Sequence, residues 1–243
     1  LAVLRTLGLA GLGAAGARGE VAQEIAALAQ LQHPHLVEVL EVFEEGGVLC
    51  ILAAYVEGGS VAGRIQRARA ERRALADGQV TQWLTQVALA LQYVHECGTL
   101  HRDLRARRVL LDAGGGAVVS GLAVSAPLAR ALDPDRPDVE AVRYLAPELV
   151  AGGATHTRAS DVWALGVILY ELLAMRPPHE DDNPRSLAER ILTRAPPPIP
   201  ARSAADLRRV CGALLRRDPH GRPSVDDLFK EGFVQAQLRA LLG

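Results

Sequence analysis

The chain has 243 residues, 49% of them apolar, with 27 basic against 28 acidic side chains. That is enough apolar matter for a large core in one sizeable domain, and a formal net charge of −1 argues against a nucleic-acid backbone or an anionic lipid surface as the main partner. Three widely spaced cysteines, Cys50, Cys97 and Cys211, make neither a CxxC metal pattern nor a disulfide framework, which points to a reducing, cytoplasmic setting.

In chain order, Leu1 to Leu7 predicts a strand, followed by a Gly/Ala-rich stretch from Gly8 to Gly19 and a helix from about Glu20 to Gln32 that stops at His33-Pro34. Gly11 to Gly16 satisfies GxGxxG between strand and helix. The pattern is weak in so small-residue a segment, no strand-helix-strand repeat follows it, and no dinucleotide site is expected. Leu36 to Phe43 and Val48 to Tyr55 predict two strands around a Glu44-Glu45-Gly46-Gly47 turn, and Glu57-Gly58-Gly59 then breaks the sheet. From Ser60 onward the pattern turns helical, with Leu84, Val87, Ala88, Leu91 and Val94 spaced as a core-facing stripe that the Gly98 region ends. After a mixed stretch around residues 100 to 125, helices are predicted at about 159–174, 185–194 and 204–215, and Ser224 with Asp227 predicts a capping box for a last helix. The apolar run Val48–Val56 is too short to span a bilayer and Glu171 interrupts the one around Val162 to Met175, so no membrane segment is expected. Opening at Leu1 and not at a methionine, the chain reads as a fragment.

Four motifs then stand in a telling order: His101-Arg102-Asp103-Leu104-Arg105, Tyr144-Leu145-Ala146-Pro147-Glu148, Ser160-Asp161-Val162-Trp163 through Glu171-Leu172, and Arg217-Asp218-Pro219 through Arg222-Pro223-Ser224. With them the chain resembles the protein kinases. It is most similar to the NIMA-related (Nek) type, through Leu31-Gln32-His33-Pro34-His35-Leu36-Val37, Tyr55-Val56-Glu57-Gly58-Gly59-Ser60 and the tail to Glu231-Gly232-Phe233. The resemblance implies an α+β, bilobal fold in a single domain. Residues 1–56 would form a partial β-sheet lobe with one helix, without the first strands and the glycine loop, and 57–243 a larger, mainly helical lobe. The GxGxxG stretch lies after the strand it would have to precede, so it is not that loop.

Carried over by resemblance, Asp103 stands at the base that accepts the substrate hydroxyl proton and Arg105 at the family's lysine two residues on. Arg5 stands at the phosphate-binding lysine with Glu24 as its partner, although a register one residue earlier would put Leu4 there. Ala53, Tyr55 and Leu110 fall at nucleotide-pocket positions, with Ala53 at the gatekeeper. His101 and Arg102 belong to the catalytic-loop framework, Asp161 would cap that loop, and Glu148 would pair with Arg222. The metal positions depart from the family. Arg108 replaces an asparagine ligand and Gly121-Leu122-Ala123 replaces Asp-Phe-Gly, so no protein ligand for magnesium is expected. Leu122 would fill the phenylalanine slot. The segment from Gly121 to Glu148 has no threonine, and no tyrosine before Tyr144; Ala141 replaces the substrate-contacting threonine, and Ser125 lies too near the start for a phosphorylation switch.

These substitutions imply a catalytically impaired kinase-shaped module for interaction or scaffolding. The alternative is an active or weakly active ATP-dependent Ser/Thr protein kinase, motivated by Asp103 and Glu24. In a third reading Arg5 and Arg108 bring the positive charge that magnesium otherwise supplies. No cofactor is expected; ATP is the nucleotide that the resemblance implies. Protein partners are expected, near residues 185 to 200 by fold analogy, with no nucleic acid and no membrane. Family resemblance adds a cytoskeletal or ciliary setting within the cytoplasm.

Overall fold

The computed structural model describes residues 1–8, 29–121 and 138–242. The GxGxxG stretch, Glu24, Leu122, Ser125 and nearly all of the helix predicted from Glu20 lie outside them.

The N-terminal part is an antiparallel sheet of β1 (Ala2–Gly8), β2 (Val39–Glu45) and β3 (Val48–Ala54) in the order β1-β3-β2. Glu45 faces Val48, so the β2–β3 turn is two residues long. Both of them, Gly46 and Gly47, have positive φ (58° and 76°), the conformation that suits the strand twist and that residues with a Cβ resist. Side chains alternate along β1, so that Val3 and Arg5 line the cleft below the sheet while Leu4, between them, is 52% exposed.

The link out of β3 runs close against the next layer. Gly58 donates to the Leu111 carbonyl at 2.8 Å, and a Cβ at that position would stand 2.4 Å from the same oxygen, so only glycine fits. Ser60 then caps α1 (Val61–Ala70), accepting from the Gly63 N–H at 3.2 Å. Helix α2 (Asp77–Glu96) buries the predicted stripe Leu84, Val87, Ala88, Leu91 and Val94. A hairpin of β4 (Val109–Leu111) and β5 (Ala117–Val119) follows. It joins the two parts, because the Val37 N–H donates to Val119 O and the Val119 N–H to His35 O, each at 2.8 Å.

The C-terminal part is mainly helical: α3 (Val139–Tyr144), α4 (Pro147–Val150), α5 (Arg158–Ala174), α6 (Pro184–Thr193), α7 (Ala205–Leu214), α8 (Val225–Leu228) and α9 (Gly232–Leu242). Helix α5 is apolar nearly all round and is accordingly the buried axis, packed against α2, α3 and α7. Its start is fixed by a Thr157–Ser160 capping box. The Ser224–Asp227 capping box is present, but it opens the one-turn helix α8 and not the last helix. The Lys230 and Glu231 N–H groups bond three residues back, closing a tight turn, and α9 starts afresh at Gly232. Cys50, Cys97 and Cys211 are all free. No helix among the described residues is long and apolar enough to cross a membrane.

Candidate functional site

A cavity of about 330 Å³ lies between the sheet and the β4–β5 hairpin, at the lower end of the range for small-molecule pockets. Arg5, Ala53, Tyr55 and Leu110 all line it, together with Val3, Val119, Arg108 and Gly121. Most of its wall is therefore aliphatic, and its positive charge is gathered at one end.

At that end the chain turns through His101–Arg105, and the framework of the turn comes from α5. The buried Asp161 accepts from the His101 and Arg102 N–H groups, each at 2.9 Å, and from His95 Nε2 at 2.9 Å. Burial opposes the Asp161 charge, yet these donors hold its carboxyl below the usual carboxylate range. They also hold Arg102 at a φ of 62°, a left-handed conformation that a non-glycine residue adopts at a cost. His101 is buried completely, and burial pushes its imidazole below its ordinary value.

The turn delivers Asp103, whose carboxylate is already engaged twice. Arg105 Nε donates to one oxygen and Arg108 Nη2 donates to the other at 2.9 Å. Arg108 reaches it from a 3-10 turn, Ala106–Arg108, that follows the loop directly. Arg105 also bonds Asp138 at 2.9 Å, and Asp138 caps α3 by accepting from the Ala141 N–H. Burial works against the Arg105 charge, but Asp103 and Asp138 outweigh it and hold the guanidinium above its ordinary value. Farther out Arg107 bonds Glu140 at 2.9 Å. Asp103 thus sits in a ladder of alternating charges that runs from the cavity to α3.

Gly121 stands where the ladder meets the cavity. Ser120 fixes it, donating through both N–H and Oγ to the Arg108 carbonyl. With φ at 75°, residue 121 is in glycine territory, and a Cβ there would lie 2.8 Å from Arg108 Nη1 and 2.9 Å from Arg5 Nη1. Two guanidinium groups therefore fill the space that a side chain at 121 would take. Their nitrogens are less than about 6 Å apart, where two like charges at an effective dielectric near 20 repel by on the order of 3 kcal/mol. Burial, and after it Arg108, push the Arg5 guanidinium below its ordinary value, with Asp103 pulling the other way.

A divalent cation does not fit this arrangement. Magnesium needs oxygen ligands; here one expected position carries a guanidinium, the other has no side chain, and the nearby Asp103 carboxylate is taken by two arginines. Among the described residues no group of three His, Cys, Asp or Glu side chains could hold a metal ion.

Behind the turn the segment 138–148 is tied down from two sides. Arg222 is buried and makes a two-pronged bond to Glu148, at 2.7 and 2.6 Å, while also donating to the carbonyls of Ala159, Arg216 and Arg217 and lying over the Trp163 ring. Tyr144 donates to Glu171 at 2.7 Å and accepts from the Ala106 N–H at 3.3 Å. Sequence reasoning missed Asp138, His95 and Glu171. Only Asp138 carried a local signal, as an aspartate three residues ahead of Ala141 at a helix start.

The sequence pattern of the protein kinase domain matches residues 14–234. The chain belongs to the protein kinase domain family. The small sheet and the mainly helical part are the two lobes of that fold. The domain is similar to mouse serine/threonine-protein kinase Nek1, at 33% identity over 226 residues covering 93% of this chain and 18% of that protein. It is 31% identical to mouse Nek4 over 90% of this chain and 28% of that protein, and 32% identical to rice Nek6 over 89% and 40%. The kinase domain thus spans well under half the length of these relatives.

Proposed function

We propose that this Nek-like domain transfers phosphate poorly or not at all and serves as a kinase-shaped module for binding protein partners in the cytoplasm. The observation that carries this reading is the arginine clasp on Asp103. A general base works when it is free to reach a hydroxyl held in line with the phosphorus, and here both oxygens of the candidate base are bonded to guanidinium groups. Phosphoryl transfer otherwise depends on cations that bridge the phosphates, and the positions that would hold them are Arg108 and Gly121. Each lost contribution of this kind typically lowers turnover by orders of magnitude.

One observation favours the opposite reading, an active or weakly active Ser/Thr protein kinase as the relatives' names describe: the Asp161 caps and the Glu148–Arg222 pair keep the loop framework intact around Asp103. Radiolabelled ATP with magnesium and a general acceptor protein decides between them, run on the native domain and on Asp103→Asn. Equal counts, at the level of a protein-free blank, support the impaired module; counts that the substitution abolishes establish the enzyme.

A further inference from the structure

We infer that the cavity takes a nucleoside di- or triphosphate through Arg5 and Arg108 without a divalent cation, so that magnesium weakens binding and does not enable it. This rests on the reading above that the metal positions are lost.

The argument starts from what the cavity offers. Val3, Ala53, Leu110 and Val119 give it an aliphatic wall, fit for the flat, weakly polar face of a base. Its far end presents two guanidinium groups converging on one point at Gly121. Such a cluster is unstable by itself and favourable around an anion, whose charge turns mutual repulsion into two attractions. The local carboxylate does not neutralise the cluster, because Asp103 is shared between Arg105 and Arg108 and no described carboxylate forms an ion pair with Arg5. A donor also remains at the cavity end: Arg108 bonds Asp103 through Nη2, while its Nη1 is the nitrogen that lies against Gly121. Planar guanidinium forks suit phosphate oxygens, which accept two parallel bonds from each. The lowered Arg5 value agrees with a charge awaiting a counter-ion.

The sign of the magnesium effect follows. A nucleotide bound to magnesium has lost much of its negative charge, and the ion brings two positive charges toward Arg5 and Arg108, where the nearest described carboxylate, Asp103, is already bonded to two arginines. Free nucleotide is the better ligand on both counts.

Isothermal titration of the whole chain with ADP and ATP, first in EDTA and then in excess magnesium, tests this. Heat of binding is expected in EDTA, with affinity reduced about tenfold by magnesium. Arg5→Gln and Arg108→Gln each remove a charge-assisted contact and weaken ADP about tenfold or more. Asp103→Asn works the other way: it deletes the opposing charge and tightens binding several-fold. Adenosine, lacking phosphate, is insensitive to all three substitutions. The magnesium comparison on the native chain does not depend on any variant folding. Pyrophosphate binding as tightly as ADP overturns the nucleoside part of the inference. Binding that requires magnesium overturns the whole of it, as does absence of binding in both buffers. Absence of binding together with blank-level transfer leaves the impaired module standing, whereas magnesium-dependent binding together with transfer removes both.

Discussion

An Asp103→Asn substitution asks whether the carboxylate is held for structure or kept ready for chemistry. Asp103 is about 10% exposed, and its partners Arg105 and Arg108 about 8% and 22%. Removing one side of a buried ion pair costs about 3–5 kcal/mol, chiefly through the charge left behind. The loss here is smaller for three reasons: asparagine keeps one acceptor oxygen, Arg105 retains Asp138, and Arg108 regains some water. Against that, Arg5 and Arg108 lose the negative charge that tempers their repulsion. About 2–3 kcal/mol remains as the expected destabilisation. For a domain of this size each kcal/mol lowers Tm by roughly 2–4 °C, so the midpoint should drop by between about 4 and 12 °C in a calorimetric or circular-dichroism melt at neutral pH. A midpoint that stays or rises refutes the clasp, because that is how a carboxylate behaves when it is held unpaired for catalysis at the expense of stability.

Two further outcomes follow from the buried polar groups. Arg222→Ala strands Glu148 and the carbonyls of Ala159, Arg216 and Arg217, and should cost about 3–5 kcal/mol; a melt lowered by less than 3 °C, on the order of 1 kcal/mol, would show that the pair is not structural. Burial pushes the Glu171 carboxyl from 4.5 up to about 7, with the Tyr144 hydroxyl opposing, so the folded state holds a proton that the unfolded chain releases between those values. The stability contributed by that proton is complete below about pH 4.5 and is lost as pH rises through about 7, at most roughly 3 kcal/mol. Glu171→Gln should remove this decline while keeping a partner for Tyr144. His179, pushed down to about 4 by burial, destabilises the fold as pH falls, in both proteins alike, so the difference between their Tm-versus-pH curves isolates Glu171, and parallel curves contradict the assignment.

Much of the architecture was legible because it rests on long periodic segments and on motif spacing. The stripe Leu84 to Val94, the strand after Gly46-Gly47 and the helices near 159–174, 185–194 and 204–215 are where the pattern puts them, within a residue or two, whereas the strand before that turn runs from Val39 to Glu45 and not from Leu36 to Phe43. Glu148 and Arg222 meet across 74 residues, and Asp161 lies over the loop it was expected to cap. Short elements escaped. Strands β4 and β5 have three residues each and α3 and α4 have six and four, too few to show a period. The site was legible in its parts and not in its arrangement. Arg5, Arg108 and Gly121 read as three separate losses, whereas in space they are one device: the missing side chain at 121 is what lets the two guanidinium groups approach. No local pattern encodes such a contact, nor the bond from Arg105 to Asp138, because each joins positions brought together only by the packed hairpin and α3.

The central claim is that no divalent ion is held where phosphoryl transfer needs one, and paramagnetic resonance of Mn²⁺ with ATP tests it without any reliance on turnover. The native chain should add no protein-bound signal to the spectrum of manganese and nucleotide in solution, while Arg108→Asn combined with Gly121→Asp, which restores two oxygen ligands and removes one cation, should add one. A bound signal from the native chain, of the same strength as from the double variant, would contradict the account.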